Sequence, residues 1–264
     1  MSMATLRLFS VFFDKYYWQT AVLIAKNGIA RQYRNSFFGM MWTLFQPLTM
    51  VFIYTLIMPL IMKSRMPNYP LYMVASLPLW SFFNVSLYGA SLSLLNNGET
   101  LKRCMVSSTV FPVADVLRNT YTFFISLFIM YAVAMLFYGP PHMSILLFPL
   151  FFLPVLMTVG ALCIGIAFIA PFVRDIGDLI FVCMNMLFWL TPVLYPIDAL
   201  PLFAQKLMVW NPFYIMIHPI QELVYDGTIP GMAEMFRLLG LTVISVAFGL
   251  GFYKLCRRNY VYYL

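Results

Sequence analysis

The chain has 264 residues, of which 62% are hydrophobic and 9% are charged, and its formal net charge is +7 at pH 7. Soluble domains carry about 25% charged residues, so this composition excludes a water-soluble globular protein and indicates a surface that largely faces lipid. The basic residues stand at the ends of apolar runs and form no patch with interleaved aromatics, which argues against nucleic-acid binding.

Residues 1–34 predict a cytoplasmic amphipathic helix that lies in the membrane interface. Its apolar stripe alternates steps of four and three residues, with Arg7 and Asp14 on the opposite face, although Leu8 and Trp18 break the pattern. The stripe consists of Phe9, Phe13, Tyr16, Thr20 and Leu23. A signal peptide is not expected, because Asp14 interrupts the apolar run and no A-x-A site follows.

Six apolar segments follow, each near the ~20 residues needed to cross a bilayer. They are 37–62, 71–95, 120–138, 144–172, 179–196 and 232–253. The predicted fold class is therefore an all-α integral membrane protein with six transmembrane helices. It forms one permease-like domain over 1–264, with a six-helix region at 37–253 and a cytoplasmic tail at 254–264.

The distribution of Lys and Arg predicts the orientation of the chain. Twelve of these residues fall on the side that holds both termini and four on the other side. Basic residues favour the cytoplasmic side, so both termini are expected in the cytoplasm of a cell with an inner membrane.

Several kinds of chemistry have no basis in the sequence. The predicted spans are nearly free of the ionisable residues that proton- or sodium-driven carriers use. No catalytic motif and no phosphate-binding G-x-x-x-x-G-K-[ST] loop is present. The four cysteines form no metal-ligand spacing, and His218, followed by Pro219, is interpreted as structural. We expect no enzyme activity, metal or cofactor in this chain.

Aromatic residues make up 18% of the chain and cluster at three places. The clusters are Phe37, Phe38, Trp42 and Phe45; Trp80, Phe82, Phe83 and Tyr88; and Phe188, Trp189 and Tyr195. They have two interpretations: lipid-facing bulk with interfacial belts, or a pore surface along which sugar faces slide. The sequence leaves both open.

The stretch from 196 to 230 is too long for a simple outer turn. It contains two short amphipathic pieces, 202–209 and 214–224, separated by Trp210, Asn211 and Pro212. Such pieces can dip back into the membrane where protein or a water-filled pore covers their backbone. We expect re-entrant segments between helices five and six.

Taken in order, several short motifs resemble one family. They are Tyr33-Arg34-x-Ser36-x-x-Gly39-x-x-Trp42 leading to Pro47, then Phe111-Pro112, Val173-Arg174-Asp175-Ile176, Thr191-Pro192-Val193-Leu194-Tyr195, Leu200-Pro201 and Trp210-Asn211-Pro212-Phe213. The chain resembles the membrane subunit of ABC-type exporters of O-antigen, teichoic acid or capsule chains. The resemblance implies two copies of the chain and two separate ATP-binding cassette subunits, which would bind ATP and Mg.

The resemblance also implies roles for individual residues. A short helix after Asn97, with Glu99 at its start and Lys102 and Arg103 at its end, would be a coupling helix docked on the ATPase; a solvated loop is the alternative. Arg174 and Asp175 would form a second contact or only anchor span five. The outer gate would include Pro196, Trp210, Asn211 and Pro212.

With a lipid-linked polymer as the substrate, contacts with it can also be predicted. Arg31 and Arg34 would contact a lipid-linked diphosphate, since arginine forks suit phosphate oxygens, or would anchor to membrane lipid headgroups. The pore would be lined by Phe37, Phe38, Trp42, Phe45, Phe83, Trp189 and Tyr195. Two other functions stay open. A drug or lipid export permease would have a narrow aliphatic pore. A membrane enzyme of lipid-linked sugars would need grouped acids, for which Asp175 and Asp178 give a thin basis.

Overall fold

The computed structural model describes residues 14–34, 37–42, 45, 48–53, 56–57, 68–103, 106–139, 142–257 and 259–263. Every regular element within these residues is helical. The helices are α1 (Lys15–Tyr33), α2 (Tyr69–Asn96), α3 (Gly98–Arg103), α4 (Val110–Tyr138), α5 (Phe148–Ile169), α6 (Ile176–Leu190), α7 (Leu202–Met208), α8 (Pro212–Gln221) and α9 (Met232–Cys256). Short 3-10 turns cover Gly39–Met41, Met143–Leu147, Ile197–Ala199 and Tyr260–Tyr263, and a π-helical turn covers Glu222–Asp226.

Four helices of the described chain are long and apolar enough to cross a membrane. They are Tyr69–Asn96, Val110–Met135, Met143–Ile169 and Met232–Cys256. These match the second, third, fourth and sixth predicted spans, so the all-helical, multi-pass prediction is confirmed. Most of the first predicted span, 37–62, lies outside the described residues, and the count of six stays a prediction.

The fifth predicted span is shorter than expected. Helix α6 has 15 residues and ends at Leu190, because Pro192 disfavours a helical conformation at Thr191, whose backbone is extended. A helix of this length covers about 22 Å, less than the ~30 Å hydrocarbon core. The residues that follow, up to Tyr195, form turns and bends rather than the end of a span.

Helix α1 packs through a different face from the predicted stripe. Tyr16 and Leu23 are exposed, as expected for lipid-facing positions, and Phe9 and Phe13 lie outside the described residues. Tyr17 and Ala21 are buried in a cluster with residues of α4. Tyr17 donates a hydrogen bond to Thr109 Oγ1 at 3.2 Å, and burial raises the pKa of Tyr17 to about 12, so the phenol stays protonated.

Helix α4 begins ten residues before the predicted span, at Val110 rather than 120. Asp115 and Arg118 lie in this added part of the helix, three residues apart, and pair with each other at 3.3 Å. An (i, i+3) ion pair is compatible with an uninterrupted helix. The helix ends at Gly139, whose φ of 87° is accessible mainly to glycine.

Aromatic rings fill much of the core. Phe123 and Phe152 stack with ring centroids 4.9 Å apart, and Phe82 and Phe148 complete this group. Phe83 is fully buried and packs on Phe213 of α8, with ring centroids 5.7 Å apart. Its ring fills the interior between α2 and α8, and its predicted place in a pore stays a prediction.

Helices α5 and α9 approach each other closely. A Cβ placed on Gly249 would stand 2.3 Å from the Ala161 carbonyl oxygen, so only glycine fits at this crossing. Thr158 and Thr242 hydrogen-bond across the same interface through their hydroxyls, 3.0 Å apart. Small residues at helix crossings are typical of membrane bundles, where packing replaces the hydrophobic effect.

The two amphipathic pieces predicted in 196–230 are both helical. The first, α7, exposes Leu202, Phe203 and Leu207. The second, α8, is largely buried and continues into the π-helical turn Glu222–Asp226. The turn ends at Gly227, whose φ of 70° is left-handed and against which the His142 ring packs. Whether these pieces re-enter a membrane stays a prediction.

Candidate functional site

A cavity of about 1060 Å³ lies along α2, between this helix and parts of α1, α4 and α6. Within the described residues its lining is unusually polar for an apolar bundle. The polar lining residues are Arg31, Gln32, Ser81, Asn84, Ser93, Asn96, Asn97, Asp115, Arg118, Asn119, Thr122, Ser126 and Asn185. Polar side chains in a membrane protein face the interior or a water-filled space, so this cavity is the candidate path for a polar substrate.

One end of the cavity is charged. Arg118 and Asp115 form the half-buried 3.3 Å pair of α4, and Arg31 lines the same space from the last turn of α1. The Arg118 side chain passes over Gly28, where an added Cβ would stand 3.2 Å from Cδ. Its Nε atom is buried and has no hydrogen-bond partner. The carboxylate of Asp115 uses only part of this guanidinium's capacity, and an anionic ligand could use the rest.

A second cavity, about 940 Å³, adjoins the first at this end. Arg31 and Asn97 line both cavities, while Arg34, Asn27 and Thr100 line only the second. Both arginines predicted to contact a diphosphate therefore border this space, and both are exposed. Their role stays a prediction.

The predicted aromatic pore residues separate into different environments. Trp189 lines the larger cavity and is 60% exposed, next to Phe188, which packs on Trp80 at 5.5 Å. Tyr195 is partly buried and donates a hydrogen bond to the Trp189 carbonyl oxygen at 2.8 Å.

The aromatic residues after α1 form their own exposed group. Phe38 contacts Phe37, Trp42 and Phe45 edge to face, with centroids 5.1 to 5.8 Å apart. None of these four residues lines either cavity of the described chain. Together they form an exposed apolar face.

The expected short helix after Asn97 is present as α3. Glu99 occupies its first turn, and Lys102 and Arg103 occupy its last, which suits the helix dipole. Glu99 and Arg103 lie 3.4 Å apart, but both are at least 80% exposed, so this pair contributes little to stability. Asn97 does not cap α3 through its side chain; its amide instead donates to the Ser93 carbonyl oxygen at 2.8 Å.

Arg174 and Asp175 lie in the exposed turn between α5 and α6. Asp175 directly precedes α6, but its side chain makes no cap hydrogen bond. Both side chains are thus available to a partner or to water, as either interpretation of this motif requires.

The predicted outer-gate residues border a network of buried hydrogen bonds. Asn211 caps α8, because its side-chain oxygen accepts from the backbone N–H groups of Phe213 and Tyr214. Its side-chain amide donates to Thr191 Oγ1 at 3.0 Å. Pro212 is the first residue of α8, Pro196 precedes the turn Ile197–Ala199, and Trp210 is 83% exposed.

Buried polar groups of α2 and α8 hold the segment after α6. The hydroxyl of Tyr69 donates to the Leu194 carbonyl oxygen at 2.6 Å, and that of Tyr72 lies 2.8 Å from the Tyr195 carbonyl oxygen. Gln221 donates to Ser76 Oγ at 2.8 Å and to the Pro192 carbonyl oxygen at 3.1 Å. These bonds replace the helical bonds that the segment lacks.

Sequence reasoning missed Arg118 as a cavity residue and missed the polar face of α4. The signal was present: Asp115, Asn119, Thr122 and Ser126 recur at steps of three and four residues, which places them on one face of a helix. Gln221 and the pairing of His218 with two glutamates were also missed. His218 and Glu222 stand four residues apart, a spacing that the sequence shows, whereas Glu234 comes from another helix and local spacing cannot reveal its contact.

Comparison with known proteins places the chain in a family. Residues 19–225 match the ABC-2 type transporter family. The O-antigen export system permease protein RfbA of Myxococcus xanthus is 26% identical over 225 residues, which is 84% of this chain and 86% of that protein. Two proteins of the same name from Klebsiella pneumoniae are 25% and 23% identical over 215 residues, which is 81% of this chain and 83% of each of them.

The matched region runs from α1 through the π-helical turn and so includes both cavities and the buried network around Thr191. It leaves out α9, whose role in the fold is to pack on α5. With helices long enough to cross a membrane and a family match over most of its length, the chain belongs to the ABC-2 type transporter family and is a multi-pass membrane permease subunit.

Proposed function

We propose that this chain forms the channel of an ATP-driven exporter that moves a lipid-linked polysaccharide, O-antigen or a related surface glycan, across the cytoplasmic membrane. The observation that carries the proposal is the polar cavity along α2, which ends at Arg31 and Arg118. The names of the relatives, all O-antigen export permeases, support the same substrate class.

The walls of the cavity suit a sugar polymer. Hydroxyl and amide side chains such as Asn84, Asn119 and Ser126 exchange hydrogen bonds with sugar hydroxyls as readily as with water. Trp189 supplies a flat apolar surface at the same cavity. Weak, repeated contacts of both kinds let a chain advance without being held at one point.

The charged end suits the carrier of the polymer. A lipid diphosphate brings two or more negative charges, and guanidinium groups bind phosphate oxygens through paired hydrogen bonds. Arg31 and Arg118 line one space from two different helices, with Arg34 in the adjoining cavity. By the distribution of Lys and Arg, this end faces the cytoplasm, where the lipid-linked polymer would enter.

The channel is proposed to need two copies of the chain and two separate ATPase subunits. Aromatic residues such as Trp42 and Trp189 are exposed, and the described residues of one subunit form no enclosed pore around them. A second copy facing the first would close the path. Helix α3 and the turn at Arg174 and Asp175 are the proposed contacts with the ATPase, which would bind ATP and Mg.

Deleting the gene in its native host tests the function. We expect loss of one surface polysaccharide, accumulation of its lipid-linked form on the cytoplasmic side, and recovery when the intact gene is returned. Unchanged surface polysaccharide would contradict the proposal. Normal polysaccharide together with increased sensitivity to toxic apolar compounds would instead favour a drug or lipid export permease.

A further inference from the structure

Helices α8 and α9 and the π-helical turn between them carry a cluster of three metal-ligand side chains. His218 lies on α8, Glu222 begins the π-helical turn one turn later, and Glu234 lies in the first turn of α9. One potential ligand atom from each residue lies within 4.8 Å of those of the other two. We propose that His218, Glu222 and Glu234 form a binding site for a divalent transition-metal ion of the zinc class.

The distances suit such an ion. His218 Nδ1 lies 3.2 Å from Glu234 Oε1 and 3.9 Å from Glu222 Oε1. Zinc binds imidazole nitrogen and carboxylate oxygen at about 2.0–2.2 Å, so neighbouring ligand atoms of a tetrahedral site stand about 3.3–3.6 Å apart. Both His218 distances lie within a few tenths of an ångström of this spacing, and all three ligand atoms lie within 4.8 Å of one another.

The types of ligand atom also indicate which metal ion the site would bind. Magnesium and calcium prefer all-oxygen sites, whereas an imidazole ligand favours zinc and its neighbours. Two carboxylates and one neutral imidazole carry two negative charges, which a divalent ion neutralises. Among the described residues, His218 is the only basic side chain within 4.0 Å of either carboxylate. Asp226 and Tyr214 also lie near the cluster. Neither is positively charged, so neither would compete with a metal ion for the two carboxylates.

The surroundings hold the ligands in place and leave one side accessible. Glu234 Oε2 accepts a hydrogen bond from the Gly231 backbone N–H at 3.2 Å, which directs the other oxygen toward His218. The His218 ring packs on Tyr214 with centroids 4.8 Å apart. The three side chains are 22 to 25% exposed, so an ion can enter from water and keep a water as its fourth ligand.

A metal at this place would tie α8 to α9. His218 of α8 already lies 3.2 Å from Glu234 of α9, and a bound ion would strengthen this link. With the ion bound, the π-helical turn between the two helices would also be fixed, because Glu222 is its first residue. The ion would act as a clamp on the segment that carries the predicted gate residues Trp210, Asn211 and Pro212.

The test uses the full-length chain in lipid nanodiscs, purified through a tag that contains no histidine. EDTA first removes any bound metal, and zinc chloride is then titrated into the sample by calorimetry. We expect one zinc ion to bind per chain and to raise the unfolding temperature of the protein. Magnesium chloride should neither bind nor change this temperature. His218→Gln and Glu234→Gln should weaken zinc binding at least about 100-fold, since even changes outside the first coordination shell weaken it by about 10- to 100-fold.

His142→Gln and Glu99→Gln are the matched controls, one for each residue type, and should bind zinc as the wild type does. Unfolding temperatures in EDTA establish that each variant is folded. X-ray absorption at the zinc edge of the wild type needs no substitution and should show one imidazole with oxygen ligands. Absence of one-to-one zinc binding, wild-type affinity in His218→Gln, or sulfur ligands from cysteine would each overturn the site.

Discussion

The side-chain amide of Asn211 donates a hydrogen bond to Thr191 Oγ1 at 3.0 Å, across twenty residues of chain. Asn211 directly precedes α8 and Thr191 directly follows α6, so the bond joins the ends of these two helices. Thr191 is fully buried, and the side-chain oxygen of Asn211 simultaneously caps α8. A single asparagine therefore sets both the start of α8 and its position against α6.

We expect Asn211→Ala to lower the free energy of unfolding by about 2 kcal/mol, since it removes a helix cap and a buried hydrogen bond of about 1 kcal/mol each. Asn211→Asp keeps the cap but loses the amide donor, and Thr191→Val loses only the acceptor. A double-mutant cycle on unfolding in detergent separates the two contributions. Strictly additive effects of Asn211→Asp and Thr191→Val would contradict the coupling.

The crossing of α5 and α9 should not tolerate one added methyl group. Gly249→Ala places Cβ against the Ala161 carbonyl oxygen, and we expect a loss of about 1–3 kcal/mol from overpacking. Gly251→Ala is the control, because the described residues place no atom of another element within 4 Å of its Cβ, and alanine favours a helix by up to about 1 kcal/mol. Thermal unfolding of both variants distinguishes packing from propensity; equal stability of the two would contradict the close approach.

Arg118→Gln should reduce ATP-driven polymer export by about tenfold or more. A hydrogen bond to a charged group contributes about 1.5–3 kcal/mol, and 1.4 kcal/mol corresponds to a factor of ten. Export is measured as protected lipid-linked polymer in proteoliposomes that contain the chain and its ATPase. Arg237→Gln, an exposed arginine on α9 outside the cavity, should export normally. Normal export by Arg118→Gln would remove this residue from the substrate path.

Reversing the charges of α3 should release the ATPase. The variant combines Glu99→Lys, Lys102→Glu and Arg103→Glu, whose side chains lie on an exposed helix with charges that match its dipole. Reversal destabilises the helix by roughly 0.3–1 kcal/mol per charge and inverts the charge pattern of the surface that faces a partner. We expect loss of co-purification with the ATPase while the permease stays folded in membranes. Lys254→Glu should have no effect, and a triple variant that still binds and exports would refute the coupling role.

Cysteine labelling should separate lipid-facing from path-lining tryptophans. In a cysteine-free background, Trp189→Cys should react with a membrane-impermeant thiol reagent during transport and be protected by trapped polymer, because Trp189 lines the larger cavity. Trp42→Cys should react in the same way if a second subunit completes the path at this residue. Phe83→Cys, at a fully buried position, is the unreactive control. Absence of labelling at position 189 in every state would contradict a place in the path.

The sequence by itself determined the class of this protein, most of its helices and its family. Apolar runs of about twenty residues must cross the bilayer as helices, because no other open structure satisfies the backbone there. Local signals also located the ends of α3, since charges at a helix terminus act within one or two turns. The ordered motifs indicated an exporter permease, which the family match confirmed.

Only the tertiary structure decided which side of each helix is inside. Phe83 was predicted at a pore and lies in the core, while Arg118 falls just outside the predicted span 120–138 and lines the cavity. In a bundle made mostly of apolar residues, hydrophobicity varies little around each helix. Periodicity therefore indicates only weakly which side of a helix faces the interior. The contacts of Asn211 with Thr191 and of His218 with Glu234 join residues from different helices, and those pairings exist only once the helices have packed.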